Sequence, residues 1–464
     1  MMTNYKVSVL MPSLNVANYI DQCISSVVNQ TLKDIQIICI DAGSTDGTLE
    51  ILEKHANTDD RITIVHSDKR SYGYQLNLGI DAAKGEYIGI VETDDIAEPD
   101  MFEVLYNTVH GKDIDYIKGN AVQFYERAGS IHKILQYTPY VGLRDIKEEF
   151  LEVNPSSNPT IFLSDNFLWN GIYRADFFKS IRFQETFGAA FQDISVLFRI
   201  ISTAHKARYV NHSVYLYRQD NFAASSYNSK SIIYTNGEYY HIIEEFLQGL
   251  SGGWVKICYK KMVLLTLNRF YEMASSGIFW SVSENGIEGL RAKLRYALDK
   301  RILCKEDFTD VQWARVHMLL ENPRELFQYD YEYYMNKVRY IHSIREAIGN
   351  SEYIIFGCGQ WGTYLADILQ IHYGLTPRAF WDNASSKWGT KEKGIYTEMP
   401  CNLKDSSIKY VIANKRCVQD IKKQLNGLEV RPDQIIEFSI EWIDIRLYRS
   451  RECFNQIKGY NKGK

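Results

Sequence analysis

Zinc-binding spacing is missing from this sequence: eight cysteines are scattered over 464 residues, at Cys23, Cys39, Cys258, Cys304, Cys358, Cys401, Cys417 and Cys453, and no two form a CxxC pair. Their even number would permit disulfides, but an apolar strand pattern already begins at Lys6, where a secretory leader would stand. A cytoplasmic chain is therefore expected. No apolar run reaches the roughly 18 residues that cross a bilayer, so no membrane-spanning helix is expected. Excess positive charge is missing too. The net charge is −4 and the isoelectric point near 6.2, which excludes the basic face a nucleic-acid binder needs. What is present is a 45% share of hydrophobic residues, enough for buried cores. The chain length predicts about two to four domains.

Lys6 to Met11 reads as an apolar strand, Val16 to Asn29 as an amphipathic helix, and Ile35 to Ile40 as a second strand that runs into Asp41-Ala42-Gly43-Ser44-Thr45-Asp46-Gly47-Thr48. Arg61 to Val65 gives a third strand, Gln75 to Ala83 a helix, and Glu86 to Val91 a fourth strand. This alternation predicts a parallel sheet in an α/β fold. Ligands of such sheets bind beyond the carboxyl ends of the strands, where Asp41 and Glu92-Thr93-Asp94-Asp95 both lie. Tyr87, Ile88, Ile90 and Val91 favour burial, whereas Glu92, Asp94 and Asp95 cannot be buried together without a counter-charge. A divalent cation answers that need. Carboxylates with water and phosphate as co-ligands suit Mg²⁺ or Mn²⁺. The alternative is that these acids cap the helix that Pro99 and Asp100 introduce.

The ordered motifs Val7-Ser8-Val9-Leu10-Met11-Pro12-Ser13-Leu14-Asn15, Ile40 to Thr48, Gly73 to Asn77 with Gly79, Gly85-Glu86-Tyr87-Ile88 and Glu92-Thr93-Asp94-Asp95 give residues 5 to 226 a family likeness. This part of the chain resembles the glycosyltransferase family 2 nucleotide-sugar transferases of GT-A fold, in particular those of bacterial surface-glycan and glycoprotein assembly. The resemblance implies that Pro12, Ser13, Leu14, Asn15 and Asp41 line the nucleotide pocket, with Asp41 accepting the uracil N–H. It also implies that Asn77 and Thr93 contact the donor, and that Glu92, Asp94 and Asp95 form the metal-binding DxD element holding the diphosphate through Mn²⁺ or Mg²⁺. Two residues depart from the family pattern: Glu92 stands for the usual first Asp, and Leu76 where many relatives carry arginine.

Sugar transfer needs a neutralised leaving group, an aligned acceptor and a base. The family places the base at the pair matched here by Gln192-Asp193, so Asp193 is the expected base; a helix cap is its alternative. Trp169 and Asn170, in Asn166 to Arg174, match the acceptor side of the cleft. The indole suits stacking on a sugar, or equally a core position. Arg218, ahead of a loop running to Ser226, is expected to clamp the diphosphate, and Asp220 matches a position where some relatives carry a metal-binding His. Both also read as ordinary loop charges.

Three domains are expected: a catalytic domain over 1–228, a helical region over 229–345, and a Rossmann-like α/β add-on over 346–464. Tyr239 to Leu250, Trp254 to Met273 and Ile287 to Leu298 read as helices, the last with Ile287, Leu290, Leu294 and Leu298 on one face. Tyr331, Tyr333, Tyr334 and Tyr340 suit core packing or sugar stacking. Glu352 to Phe356 followed by Gly357, Gly359 and Gly362, with Asp382 about 20 residues on, has the formal dinucleotide-binding pattern. Strand and helix signals continue at Lys409 to Ala413, Val418 to Leu425 and Gln434 to Phe438. The module is short for a dehydrogenase; it resembles the small Rossmann-like add-on modules of some bacterial surface-glycan transferases, which implies acceptor recognition or self-association, with NAD binding as the alternative. The tail carries Arg446, Arg449, Arg451, Lys458, Lys462 and Lys464, a set that fits either a solvated tail or peripheral contact with an anionic membrane. The whole reads as a metal-dependent inverting hexosyltransferase using UDP-glucose or UDP-galactose on a glycan, glycoprotein or lipid-linked acceptor. A non-catalytic glycan-binding scaffold is the rival reading.

Overall fold

The computed structural model of the protein describes residues 5–127, 130–145, 148–188, 190–221, 231–275, 284–442, 444–449 and 451–460. The chain divides into two compact units, Met1–Arg269 with Val282–Glu321, and Phe270–Ser281 with Asn322–Lys464. One boundary falls at Asn322-Pro323, a strong helix start: the Asn322 side chain accepts the Glu325 N–H and proline occupies the first turn.

In the first unit the expected alternation forms as β1 (Val7–Ser13), α1 (Ala17–Val28), β2 (Ile35–Asp41), α2 (Thr48–Ala56), β3 (Ile62–His66), α3 (Tyr72–Ala82) and β4 (Tyr87–Ile90). Strands β3, β2, β1 and β4 lie side by side in that order, all parallel. Every residue of β1 and β2 is buried, which explains their nearly unbroken apolar sequences. Two of their polar residues pair with each other: the Ser8 hydroxyl donates to Gln36 Oε1 at 2.6 Å and accepts the N–H groups of Lys84 and Gly85. The chain leaves β1 towards β2 and β3 on one side and returns to β4 on the other. The crevice beyond the end of β1 is therefore the binding place this topology offers.

The unit continues through β5 (Ile96–Ala97), α4 (Met101–Val109), β6 (Tyr116–Arg127), β7 (Ser130–Tyr137), β8 (Phe150–Val153), α5 (Ile161–Ser164), β9 (Gly171–Arg174), α6 (Ala175–Lys179), α7 (Asp193–Thr203) and β10 (Ala207–Arg218). The sheet extends from β4 through β9, β6 and β10 to β5, with β7 on β6 and β8 on β10. β9 runs antiparallel to both β4 and β6, so the sheet is mixed where the first four strands alone predict a parallel one. Helices α8 (Ser231–His241), α9 (Gly252–Ser275), α10 (Glu284–Asp299) and α11 (Asp310–Glu321) follow. The helix expected over Tyr239 to Leu250 is not continuous: α8 ends at His241, Ile242–Phe246 winds a π-helical turn, and Gly249 turns the chain at φ +80°. In α10, Ile287, Leu290 and Leu294 are buried on one face as expected.

One glycine ties this frame to the cleft. A Cβ on Gly73 would lie 1.9 Å from the Gln184 carbonyl oxygen, and the Gly73 N–H donates to Gln192 Oε1 at 2.8 Å. Gly73→Ala should lower the melting temperature by at least several degrees and weaken transfer together, since backbone must move to admit the methyl. Thermal unfolding followed by circular dichroism checks this; an unchanged midpoint would contradict it.

The second unit comprises α12 (Pro323–Ile348), β11 (Tyr353–Phe356), α13 (Gln360–Tyr373), β12 (Ala379–Trp381), β13 (Lys391–Glu392), β14 (Ile395–Glu398), β15 (Lys409–Ile412), α14 (Val418–Gly427), β16 (Ile435–Glu437) and α15 (Arg451–Tyr460). Its strand order is β13, β14, β12, β11, β15, β16, parallel except for β13. Ile354, Phe356, Trp381, Tyr410, Ile412, Ile421 and Leu425 share its core. Gly362 serves packing, since a Cβ there would lie 1.9 Å from the Gly357 carbonyl oxygen, and Gly357 turns the chain at φ +115°. Asp382, the acid of the formal dinucleotide pattern, accepts from the Cys358 and Ala384 N–H groups and pairs with Lys387 at 2.9 Å. Its carboxylate is thus spent on the turn. The tail is more ordered than a solvated strip: Phe454 of α15 stacks on His372, and Arg446 pairs with Asp444 at 3.2 Å. Lys462 and Lys464 lie outside the described residues. Of the aromatic run, Tyr334 is fully buried and Tyr333 exposed. Among the described residues no helix is long and apolar enough to cross a membrane.

Candidate active site

The crevice beyond β1, β2 and β4 is built by side chains that bond to backbone. Gln75 of α3 donates through Nε2 to the carbonyls of Ser13 and Ile40, at 2.9 and 2.7 Å, clipping the ends of β1 and β2 together. The Thr93 hydroxyl donates to the Pro12 carbonyl at 2.8 Å, which ties the loop after β4 to β1. The loops after β1 and β2 are laced likewise. Asn15, at φ +54°, donates its N–H to the Ser44 hydroxyl and accepts the Thr45 N–H, while Asp46 accepts from the Ala17 and Thr48 N–H groups and the Thr48 hydroxyl. Burial works against the charge of Asp46, but these bonds hold its pKa below the usual carboxylate value. Pro12 and Ser13 are buried, whereas Leu14 and Asn15 face solvent.

Asp41 ends β2 with one carboxylate oxygen satisfied and one not. Oδ2 accepts the N–H groups of Gly43 and Ser44 at 2.9 and 3.1 Å; Oδ1 is buried without a partner. Asp95 repeats the pattern after β4. Its Oδ1 accepts the Arg218 N–H at 2.7 Å, and its Oδ2 is a buried oxygen that no hydrogen bond of ordinary geometry reaches, although the nearby Tyr215 hydroxyl exerts some pull on the carboxyl. Burial, and then the charge of Asp94, drive the Asp95 pKa well up. An orphaned buried carboxylate oxygen is costly unless something arrives to meet it.

The four expected metal ligands are not equivalent. Glu92 accepts the Tyr72 hydroxyl at 2.5 Å, and burial pushes its pKa up to about 8 against that bond. Asp220 accepts the Glu126 N–H at 3.0 Å and faces Arg218. Among the described residues no cluster of three or more His, Cys, Asp or Glu side chains is arranged to hold a metal. Asp94 and Asp95 remain, Asp94 with Oδ2 accepting the Asn221 amide at 2.8 Å. Two carboxylates fit Mg²⁺ or Mn²⁺ held jointly with water and diphosphate oxygens, the usual arrangement for an ion that is not caged by protein alone.

Arg218 is the brace of this turn. It is 5% exposed; its Nε donates to the Asp94 carbonyl at 2.6 Å, its Nη2 to Gln22, and its guanidinium lies against the rings of Tyr19 and Phe124. These contacts tie Arg218 to the turn that carries Asp94 and Asp95. The rest of the loop expected to follow it, 222–230, lies outside the described residues.

Asp193 opens α7 at its first helical position, after Gln192 in the cap position. Burial raises its pKa to about 6, opposed by its own and the Ile194 N–H groups and by the charges of Arg269 and Lys261. Glu92 and Tyr72 both feel its charge, so the base candidate lies near the β4 loop. The structure does not bring Asn77, Trp169 or Asn170 into that group through any hydrogen bond. Asn77 donates to Phe183 O and Glu185 and accepts the Phe183 N–H. Asn170 donates to Gly119 O at 2.8 Å. Trp169 is 5% exposed and stacked with Phe167 and Tyr215 at ring separations of 4.5 and 4.3 Å, which leaves no open face for a sugar and makes it a core residue.

Tyr72, Gln75, Asp46 and Tyr215 are the site residues that sequence reasoning passes over. Gln75 falls within a motif that carries the resemblance, but its job of bonding to two carbonyls leaves no side-chain pattern to find.

A doubly wound sheet with paired acids at its strand ends defines a nucleotide-binding enzyme fold, and comparison with known proteins makes the class definite. The description Glycosyl transferase family 2 matches residues 8–183. The chain is 32% identical over 220 residues to glycosyltransferase GlyG of Streptococcus pneumoniae serotype 4, covering 46% of this chain and 70% of that one. It is 30% identical over 308 residues to the cholesterol galactosyltransferase of Borreliella burgdorferi, covering 64% and 83%. Among solved structures it superposes on S. aureus TarS 1-349 in complex with UDP-GlcNAc with a TM-score of 0.49 and 18% identity, covering 71% of this chain and 90% of that one. The chain belongs to glycosyltransferase family 2 and is a glycosyltransferase.

Proposed function

We propose that the protein is a metal-dependent, inverting hexosyltransferase. It takes glucose or galactose from a UDP-linked donor to a glycan, glycoprotein or lipid-linked acceptor of the bacterial surface, working in the cytoplasm at the membrane face. The observation that carries the reading is the buried Asp41 Oδ1, left without a partner at the end of β2, together with the acid pair Asp94 and Asp95 after β4. In this reading Asp41 Oδ1 accepts an N–H of the uracil, and Asp94 and Asp95 would hold Mn²⁺ or Mg²⁺, which when bound neutralises the departing diphosphate. Asp193 takes the proton of the acceptor hydroxyl. That oxygen then forms its bond to the anomeric carbon as the bond from carbon to the diphosphate oxygen breaks; one displacement inverts the centre. Arg218 keeps the two aspartates aimed. The name of the Borreliella relative supports the galactose arm and a lipid-borne acceptor.

A panel of UDP-glucose, UDP-galactose and UDP-N-acetylglucosamine, scored for release of UDP, tests this. Turnover of one of the first two, lost with EDTA and restored by Mn²⁺, is expected. Because the base must be ionised, the rate should be half-maximal near pH 6, level about one unit above it and fall about tenfold per unit well below it. Release that ignores metal, or no release from any of the three, would refute the reading.

A further inference from the structure

Lys261 and Arg269 stand about two turns apart on α9, and so on one face of it. Each reaches the surroundings of Asp193 differently. The Arg269 guanidinium lies over the Phe191 ring, 4.4 Å from its centroid, and Phe191 is the residue that swings the chain into α7 at φ +70°. A non-glycine residue keeps such a φ only where its neighbours impose it. Gln192, between Phe191 and Asp193, is fully buried and bonded to the Gly73 N–H and to Thr186 O. The corner carrying Asp193 is therefore held from α3 and from α9.

Lys261 is 3% exposed, and its ammonium donates to the main-chain oxygens of Phe162 and Asp165, the latter at 2.6 Å. The Asp165 carboxylate is committed elsewhere, to Lys118 at 2.8 Å and the Tyr209 hydroxyl at 3.2 Å. Among the described residues Lys261 has no carboxylate within ion-pair distance; the charge of Asp165 acts on it most strongly, and that of Asp193 acts on it as well.

We propose that Lys261 and Arg269 are positioning residues for the base, with α9 supplying the counter-charge that keeps Asp193 ionised at the start of α7. The proposal rests on the reading of Asp193 as the base. The groups facing Asp193 are Glu92 beyond β4, Tyr72 of α3, Lys118 of β6, Tyr173 of β9, Glu238 and Tyr239 of α8, and the two cations of α9. Burial raises the Asp193 pKa, and Arg269 and Lys261 are the side-chain charges that pull it back to about 6. Burial also brings Lys261 itself down to about 7, so Arg269 carries the effect at higher pH.

The test uses the full chain with aspartate labelled at ¹³Cγ. The resonance missing from Asp193→Asn identifies the residue, and its titration midpoint is read in the parent, Arg269→Gln, Arg269→Lys and Lys261→Met. A midpoint near 6 that rises by about one unit in Arg269→Gln and returns in Arg269→Lys is the expected result. The acid limb of Mn²⁺-dependent UDP release from UDP-glucose should move with it, while the affinity for UDP stays put. Unmoved midpoints in folded Arg269→Gln and Lys261→Met would overturn the proposal; if Lys261→Met fails to fold, Arg269→Gln decides alone. Failure of the underlying reading looks different: the midpoints shift, but Asp193→Asn transfers sugar at the parental rate.

Discussion

Asp193→Asn lowers glycosyl transfer by about 10²- to 10⁴-fold, the usual contribution of a positioned general base, and leaves the affinity for UDP with Mn²⁺ within a few-fold of the parent. The substitution keeps the size of the side chain and much of its hydrogen bonding, so α7 should start where it does now. What it removes is the basic oxygen. Because Asp193 leads α7 and shares no hydrogen bond with Asp41 at the end of β2, loss of its charge should register in turnover and not in nucleotide binding. Calorimetry with UDP and Mn²⁺ beside a transfer assay separates the two. Near-parental transfer would reduce Asp193 to the opening residue of a helix, and loss of UDP binding would mean that the cleft is organised differently.

Asp94→Ala has the second large expected effect: Mn²⁺-dependent binding of UDP falls by about 100-fold or more, while the fold is kept. The choice of Asp94 over Asp95 follows from what each side chain holds. Asp95 accepts the Arg218 N–H and is nearly inaccessible, so its removal would disturb the joint between β10 and the β4 loop. Arg218 grips Asp94 by its carbonyl, which alanine retains, and the carboxylate bonds only to the Asn221 amide among the contacts seen. The diphosphate would lose one of two oxygen donors for its cation, and with it the offset to its own charge. Unchanged UDP affinity in Mn²⁺ would rule out Asp94 as a ligand.

The first four strands, the helices between them and the acids at their ends were legible in the sequence because burial on both faces of a parallel sheet writes itself as apolar runs, and turns carrying Asp or Glu interrupt those runs sharply. The antiparallel insertion of β9 was not legible: Gly171-Ile172-Tyr173-Arg174 is too short to show a period, and its direction is decided by partners far along the chain. Trp169 shows the same limit for side chains. An indole suits a sugar or a core equally, and only the rings of Phe167 and Tyr215 settle it. Glu92 read as one of three like acids, yet a hydroxyl from Tyr72 sets it apart from Asp94 and Asp95. In the C-terminal unit the glycine spacing correctly announced a tight strand-to-helix turn, but Asp382 serves that turn through Cys358, Ala384 and Lys387.

Gln75 and Thr93 grip carbonyl oxygens, which every residue possesses, and this gives the rim of the cleft an uneven mutational latitude. The identities of Ser13, Ile40 and Pro12 can drift without costing the enzyme the bonds that register β1, β2 and the β4 loop, because the acceptor belongs to the main chain. The donors have no such freedom: no other side chain of similar length offers two amide hydrogens to two strands at once. A lineage could therefore retune the donor pocket through its lining residues while the two clips preserve its dimensions.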